Sequence, residues 1–343
     1  MTPPKQKPSF LALFMSALIG IFTAGCVLAV SSVSAIAQPA SDLMSRDNPM
    51  GARVLLVGPG KFYEKPSDAA KVASDGDVVD ISAGTYKGDV AVWRQNNLTI
   101  RGTGGPVEIK ADGRSAGGKA IWVLAGDNVK VQNITFSGAA VPDGNGAGLR
   151  LEGADTVIEN CEFRDNQMGI LTGNNPDSDI LITNSRFISN RVKGARPLGH
   201  NIYIGNVNSF TMIGSLSQGA VRGHNVKSRA RVNSLIGNRI IDGPDGASSY
   251  LVDLPAGGIA VLRNNYLEQG EKAENLTLVS FGAETLLHDE NRLMITDNFM
   301  VNKSGAGTFV RNYTDTPVQI IGNSFDGSGT VLRGPGTILD RSP

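Results

Sequence analysis

An Asn-rich turn leading to an apolar side chain returns at a nearly fixed interval along this chain. The clearest copies are Asn133-Ile134-Thr135-Phe136, Asn160-Cys161-Glu162-Phe163 and Asn184-Ser185-Arg186-Phe187. Weaker ones end at Ile213, at Ile240 after Asn238, at Leu267 after Asn265, at Met300 after Asn298 and at Phe325 after Asn323. Successive ends lie 27, 24, 26, 27, 27, 33 and 25 residues apart, which marks a structural repeat.

Each copy follows a short period-two apolar run, such as Val129-Lys130-Val131 or Ile180-Leu181-Ile182, and precedes another, such as Leu149-Arg150-Leu151 or Asn201 to Ile204. Runs of this kind are strands. They are too short to bury anything alone, but stacked on their neighbours they form a continuous core. Helical repeats would need ten-residue stretches of three- and four-residue apolar spacing, which are not found between 120 and 335. A propeller blade needs about 40 residues and four strands. Asn at the head of each turn suits a stacked left-handed backbone position. The expected fold is therefore all-β, a parallel solenoid of about 24–27-residue coils over residues 53–335.

The opening of that region resembles the right-handed parallel β-helix proteins of the pectin-lyase-like superfamily. The residues that carry the resemblance are Ser67 to Ser74, read as a short helix, then Asp75-Gly76-Asp77-Val78-Val79-Asp80-Ile81-Ser82-Ala83-Gly84-Thr85-Tyr86 and Asn97-Leu98-Thr99-Ile100-Arg101-Gly102. In that family such a segment forms the N-terminal cap and first coil, so a short capping helix is implied here. The scaffold carries lyases, epimerases, hydrolases, esterases and adhesins, so the resemblance specifies architecture and not chemistry. The three-Asp arrangement of the polygalacturonase-like hydrolases, the Arg-x-Pro-x-x-Arg pattern of pectate lyases and the Asp-Pro-His-Asp pattern of alginate epimerases are not evident.

Residues 1–37 read as a targeting segment. Lys5 and Lys7 precede an apolar run from Phe10 to Val30, and Ala35-Ile36-Ala37 offers a small-residue cleavage site. This predicts periplasmic or extracellular export. An uncleaved inner-membrane anchor is the alternative, since the run is also long enough to span a bilayer. A linker over 38–52 and a C-terminal tail over 336–343 flank the coils. After cleavage only Cys161 remains, expected as a buried structural thiol, so the domain must be held by its core.

Lys plus Arg and Asp plus Glu both number 32, which gives no ground for nucleic-acid binding. The distribution is uneven. Between Ile180 and Ile241 there is no acidic residue, while Arg186, Arg191, Lys193, Arg196, Arg222, Lys227, Arg229, Arg231 and Arg239 give nine positive charges. About three coils thus form a basic band, which concentrates anionic ligands.

Two of the three His fall inside this band at matching positions. Gly199-His200-Asn201-Ile202-Tyr203-Ile204 and Gly223-His224-Asn225-Val226-Lys227-Ser228 begin alike, 24 residues apart, and stacked coils would set them side by side at strand spacing. Alternation, with Ile202, Ile204 and Val226 inward, would put Asn201, Tyr203, Asn225, Lys227 and Arg229 on one outer surface; the next coil brings Tyr250 and Asp253 to the same region, with their facing left open by Ser248-Ser249-Tyr250-Leu251-Val252-Asp253. Such a set suits a uronate lyase or C5-epimerase, which neutralises a sugar carboxylate and moves the neighbouring carbon-bound proton.

The expected catalytic residues are Lys227 or a His (His200, His224) as base and Tyr203 as acid. Arg229, Arg222, Asn201, Asn225, Tyr250 and Asp253 are the expected substrate contacts. A non-catalytic polysaccharide-binding or surface-assembly protein is the alternative, with Asn and Tyr as ladder residues. A hydrolase would need opposed carboxylates, with Asp253 and Asp242 the nearby candidates. The expected partner is an acidic polysaccharide and the chain a monomer. No cofactor is required by the sequence, calcium has only ordinary acidic turn residues to offer, and zinc-ligand spacing is absent.

Overall fold

The computed structural model describes residues 51–192 and 199–339. The targeting segment, most of the linker, Lys193, Arg196 and the last four residues lie outside the described residues. Three short parallel strands recur in most coils and stack into three faces, faces one and two being joined in the early coils by the long strands Val78–Lys87 and Thr99–Lys110. Face one includes Val129–Gln132, Thr156–Glu159, Asn175–Thr183 and Val207–Ile213. Face two includes Thr135–Ser137, Glu162–Arg164, Arg186–Ile188, Leu216–Gln218, Arg239–Ile241, Tyr266–Gln269 and Phe299–Asn302. Face three is a separate ten-stranded sheet. The only helix among the described residues is Pro66–Ala70. It starts with Pro at its first turn, donates the Ser67 N–H to Asp89 Oδ2 at 3.1 Å, and buries Pro66, Ala69 and Ala70.

The core is a set of side-chain columns, one residue per coil. Trp93, Trp122, Phe136, Phe163 and Phe187 form one aromatic run, with neighbouring centroids 4.8–5.3 Å apart. Phe136, Phe163 and Phe187 are then followed in register by Ser217, Ile240, Leu267, Met300 and Phe325. The column differs from the sequence reading at one coil: Ser217 holds the place assigned to Ile213, which ends a strand of face one. Cys161 is fully buried, and burial pushes its thiol up to about 12, as befits an inert structural group.

The left-handed turn position also differs from the reading in the later coils. In the first three copies it is the Asn, at Asn133, Asn160 and Asn184 (φ 49–58°). Further on the same position, three residues before the inward column residue, is held by Gly214, Gly237, Asn264, Asp297 and Gly322, and from Gly237 onward an Asn falls one residue later. The Asn that follows is then free to turn inward. Asn238, Asn265, Asn298 and Asn323 form a ladder in which each Nδ2 donates to the next Oδ1 at 2.9–3.1 Å. Each Oδ1 also accepts the backbone N–H of the preceding ladder Asn at 2.8 Å. Buried amides in such a ladder satisfy a corner where strand bonding is interrupted.

Candidate functional site

A second ladder runs inside the corner between faces two and three, and it fixes where the two His point. Asn166 donates to Asn190 (2.9 Å), Asn190 to Asn201 (2.9 Å), Asn201 to Asn225 (3.0 Å) and Asn225 to Asp242 (3.2 Å). Asn201 and Asn225 are completely buried. Ser217 Oγ, in the column otherwise filled by large apolar groups, accepts from Asn201 at 3.1 Å and donates to the Asn225 carbonyl at 2.9 Å. The outward placement expected of Asn201 and Asn225 is therefore wrong, because alternation breaks at the corner and two consecutive residues, Asn201 and Ile202, turn inward. Asp242 ends this ladder, accepting also from the N–H of Gly270 (2.9 Å), and is buried away from any opposed carboxylate role.

The Gly-His-Asn triplet now has a physical reading. A Cβ on Gly223 would lie 1.9 Å from the Gly199 carbonyl oxygen, so the chain can close up only on glycine. Asn points in, and His, one residue earlier, points out. His200 and His224 stack with centroids 4.8 Å apart, and Tyr250 continues the stack on His224 at 5.4 Å. The His224 backbone N–H donates to His200 Nδ1 at 2.9 Å, so that nitrogen is an acceptor and the His200 proton sits on Nε2. The two Nδ1 atoms lie 3.0 Å apart. This leaves His224 Nε2 facing Asp253 Oδ2 at 3.6 Å. Burial, reinforced by Lys227 and Arg229, pushes His200 down to about 3. Burial and His200 likewise hold His224 well below its ordinary value. Both rings are neutral.

On face three the outward residues of successive coils fall in one row: Arg150, Leu171, Tyr203, Lys227, Asp253 and Ser280. Lys227 Nζ donates to Asp253 Oδ2 at 2.8 Å and to Glu284 Oε1 at 2.9 Å. Arg229 donates to Glu284 Oε2 at 2.5 Å and to the Tyr203 hydroxyl. Burial raises Asp253 above the usual carboxylate range despite Lys227. For Glu284 burial acts upward too, but the bonds from Lys227 and Arg229 outweigh it and hold the carboxyl low. Lys227 is thus the cationic partner of two carboxylates.

Beside this network lies an open cleft of about 600 Å³. Arg150, Leu171, His200, Tyr203, Lys227 and Arg229 line it, with Asn145, Asn174 and the adjoining loops as its far wall. Tyr203 and Arg229 form its floor together, the guanidinium lying 5.3 Å from the ring centroid. Of the expected contacts, Arg222 sits at a turn, pairs at 3.9 Å with Glu274 and does not line the cleft.

Sequence reasoning missed Glu284 and Arg150. Glu284 belongs to the connection 282–291, between the strands Thr277–Phe281 and Arg292–Thr296, which is what makes one repeat 33 residues long. His288 Nε2 lies 3.0 Å from the Arg229 carbonyl and holds this insertion on the site. The long repeat was the available signal, since insertions in solenoids gather on one face. No group of three or more metal-ligating side chains occurs among the described residues.

A family model described as a right handed beta helix region matches residues 89–209. Among solved structures, pectate lyase Pel9A superposes with a TM-score of 0.57 at 11% identity, over 86% of this chain and 80% of its own. The chain folds as a right-handed parallel β-helix. Alginate lyase from Paenibacillus sp. str. FPU-7 matches at a TM-score of 0.44 and 17% identity, over 79% of this chain and 95% of its own. The pectin methylesterase from Aspergillus niger matches at 0.43 and 13%, over 84% and 87%. No curated protein matches by sequence. At these identities the likeness concerns the β-helix fold, and the chemistry must come from the cleft.

Proposed function

We propose that this β-helix protein acts on an acidic, uronate-containing polysaccharide, as a lyase or C5-epimerase, in the cleft between Arg150 and Arg229. The observation that carries the reading is the Tyr203 hydroxyl, bonded to Arg229 on the floor of an open groove. Arg150 and Arg229 are placed to receive a sugar carboxylate, the pairing for which guanidinium is best suited. A phenol oxygen held against a guanidinium is stabilised as it gains negative charge, so Tyr203 is the group to take the proton from the carbon beside that carboxylate.

In elimination, C5–H and C4–O break, C4=C5 forms, and the proton is delivered to the departing sugar oxygen. In epimerisation Tyr203 keeps the proton it removes, and a proton drawn from solvent is added to the opposite face of C5. Lys227, assigned as base from the sequence, here orders Glu284 and Asp253. His200, its Nδ1 engaged, contributes an N–H donor to the cleft wall.

The test is ultraviolet absorbance, with product sizing, after incubation with alginate, pectate and glycosaminoglycans. Absorbance from an unsaturated uronate, lost in Tyr203→Phe, supports the lyase, and solvent-proton exchange without shortening supports the epimerase. A binding-only role is the second reading, favoured by the pairing of Lys227 and Arg229 with carboxylates of the chain itself. Retention on a polyuronate with neither absorbance nor exchange would establish it. The exported location proposed here rests on the N-terminal segment; among the described residues no helix is long and apolar enough to cross a membrane.

A further inference from the structure

Face two carries a second row of outward residues with chemistry of its own. Read in register from coil to coil it runs Glu162, Arg186, Leu216, Arg239, Tyr266, Phe299, Ser324. Arg239 lies over the Tyr266 ring at 4.6 Å, and the Phe299 ring stacks on Tyr266 at 5.7 Å and 18°. Phe299 is 44% exposed, unlike the aromatic residues of the core. Its next neighbour along the axis is Ser324, too small to cover the ring's remaining side. At the other end Arg186 and Arg239 flank Leu216, two strand spacings or about 9.5 Å apart. A groove of about 410 Å³ opens there, bordered by the turns at Gly214 and Gly237. Nothing lies within 4 Å of where a Cβ on Gly237 would stand.

Most of this row needs no help from outside to be stable, which makes the exceptions informative. Arg186 pairs with Glu162 at 3.1 Å. Arg239 makes no ion pair among the described residues and keeps its exposed guanidinium on an aromatic ring. A planar cation, an apolar floor and a half-open aromatic ring in one line along the axis fit a chain that repeats carboxylates and sugar rings in the same direction.

We propose that this row is a second binding track for an acidic polysaccharide, separate from the cleft on face three. A carboxylate sits between Arg186 and Arg239 over Leu216, and a sugar ring lies against Phe299. The track holds the polymer along the axis while the cleft works on it. The polymer class rests on the reading given under the proposed function.

Affinity electrophoresis of the mature protein in gels containing pectate, alginate or a neutral glucan tests it. The wild-type protein is expected to be retarded by a polyuronate and not by the glucan, and less so as salt is raised. The Arg186→Ala/Arg239→Ala variant should bind roughly tenfold more weakly, and Phe299→Ala should also lose retardation. If both variants are retarded like the wild type while Arg150→Ala is released, polymer binds at the cleft alone and the track is refuted, with the proposed function intact. Equal retardation by the neutral glucan would refute the anionic character of the track. Absence of retardation by every polyuronate would overturn the polysaccharide reading and the track together.

Discussion

The Arg229 guanidinium donates to the Tyr203 hydroxyl from the neighbouring coil, while its other arm is held by Glu284. A phenol fixed in this way is positioned without being buried. Tyr203→Phe removes the hydroxyl and keeps the ring that stacks on His200 at 5.3 Å. Turnover should fall by about 10²- to 10⁴-fold, with stability within about 0.5 kcal/mol of wild type. Kinetics on the responsive polyuronate and a denaturant melt check the two halves. Unchanged turnover would remove Tyr203 from the chemistry.

Lys227→Ala should behave quite differently. Asp253 is 2% exposed and Lys227 8%, so deleting the cation leaves a buried carboxylate without its partner. Breaking one side of such a pair costs about 3–5 kcal/mol. The double change Lys227→Met with Asp253→Leu should recover most of the loss, because it removes both charges and refills the space. Urea unfolding of the three proteins measures this. If Lys227→Ala alone keeps wild-type stability, the pair is not holding the site together.

The coil architecture was legible in the sequence because a stacked fold repeats its demands at every turn, so even weak copies reinforce one another. Register was harder. Asn133 and Asn265 look alike in the sequence, but the first supplies a left-handed backbone and the second an inward amide. The matching His200 and His224 were readable from spacing, and so was the shared surface of Tyr203 and Lys227, whereas the facing of Asp253 was not. Asn201 and Asn225 were misread because period-two alternation does not survive a corner. Glu284 reaches Lys227 from 57 positions away, a distance that local pattern cannot bridge. Arg150 stands outside the run of basic residues, so the charge pattern does not mark it.

The amide ladder of Asn238, Asn265, Asn298 and Asn323 predicts a position-dependent cost. Asn265→Ala removes donors to the Leu235 carbonyl and Asn298 Oδ1, and the acceptor of Asn238. Each buried polar group left alone costs about 1–3 kcal/mol, and the total should approach about 3 kcal/mol after partial relaxation. Asn323 ends the ladder, where its amide serves Asn298 and the carbonyls of Ile295 and Ile321. Asn323→Ala should cost about half as much. Equal costs at the two positions, by chemical denaturation, would argue against a cooperative ladder.

Stability should also fall with acidity in a defined window. His200 is held neutral in the folded protein, pushed down to about 3 by burial and then by Lys227 and Arg229, whereas an unfolded His titrates near 6.5. Between those values the unfolded chain binds a proton that the folded chain refuses, so stability is present above about pH 6.5 and is lost as pH falls toward 3. The slope is at most about 1.4 kcal/mol per pH unit for one such group. His224, also lowered, acts in the same direction. Asp253 and Asp242, raised by burial, oppose it once carboxylates begin to titrate. The loss should therefore be steepest from about one unit below pH 6.5 down to where the carboxylates begin to oppose it. His200→Asn offers an acceptor to the His224 N–H and cannot titrate, so its unfolding midpoint should vary less with pH over that range. Identical pH profiles for the variant and the wild type would mean that His200 does not change protonation on unfolding, and that its ring is not held neutral in the fold.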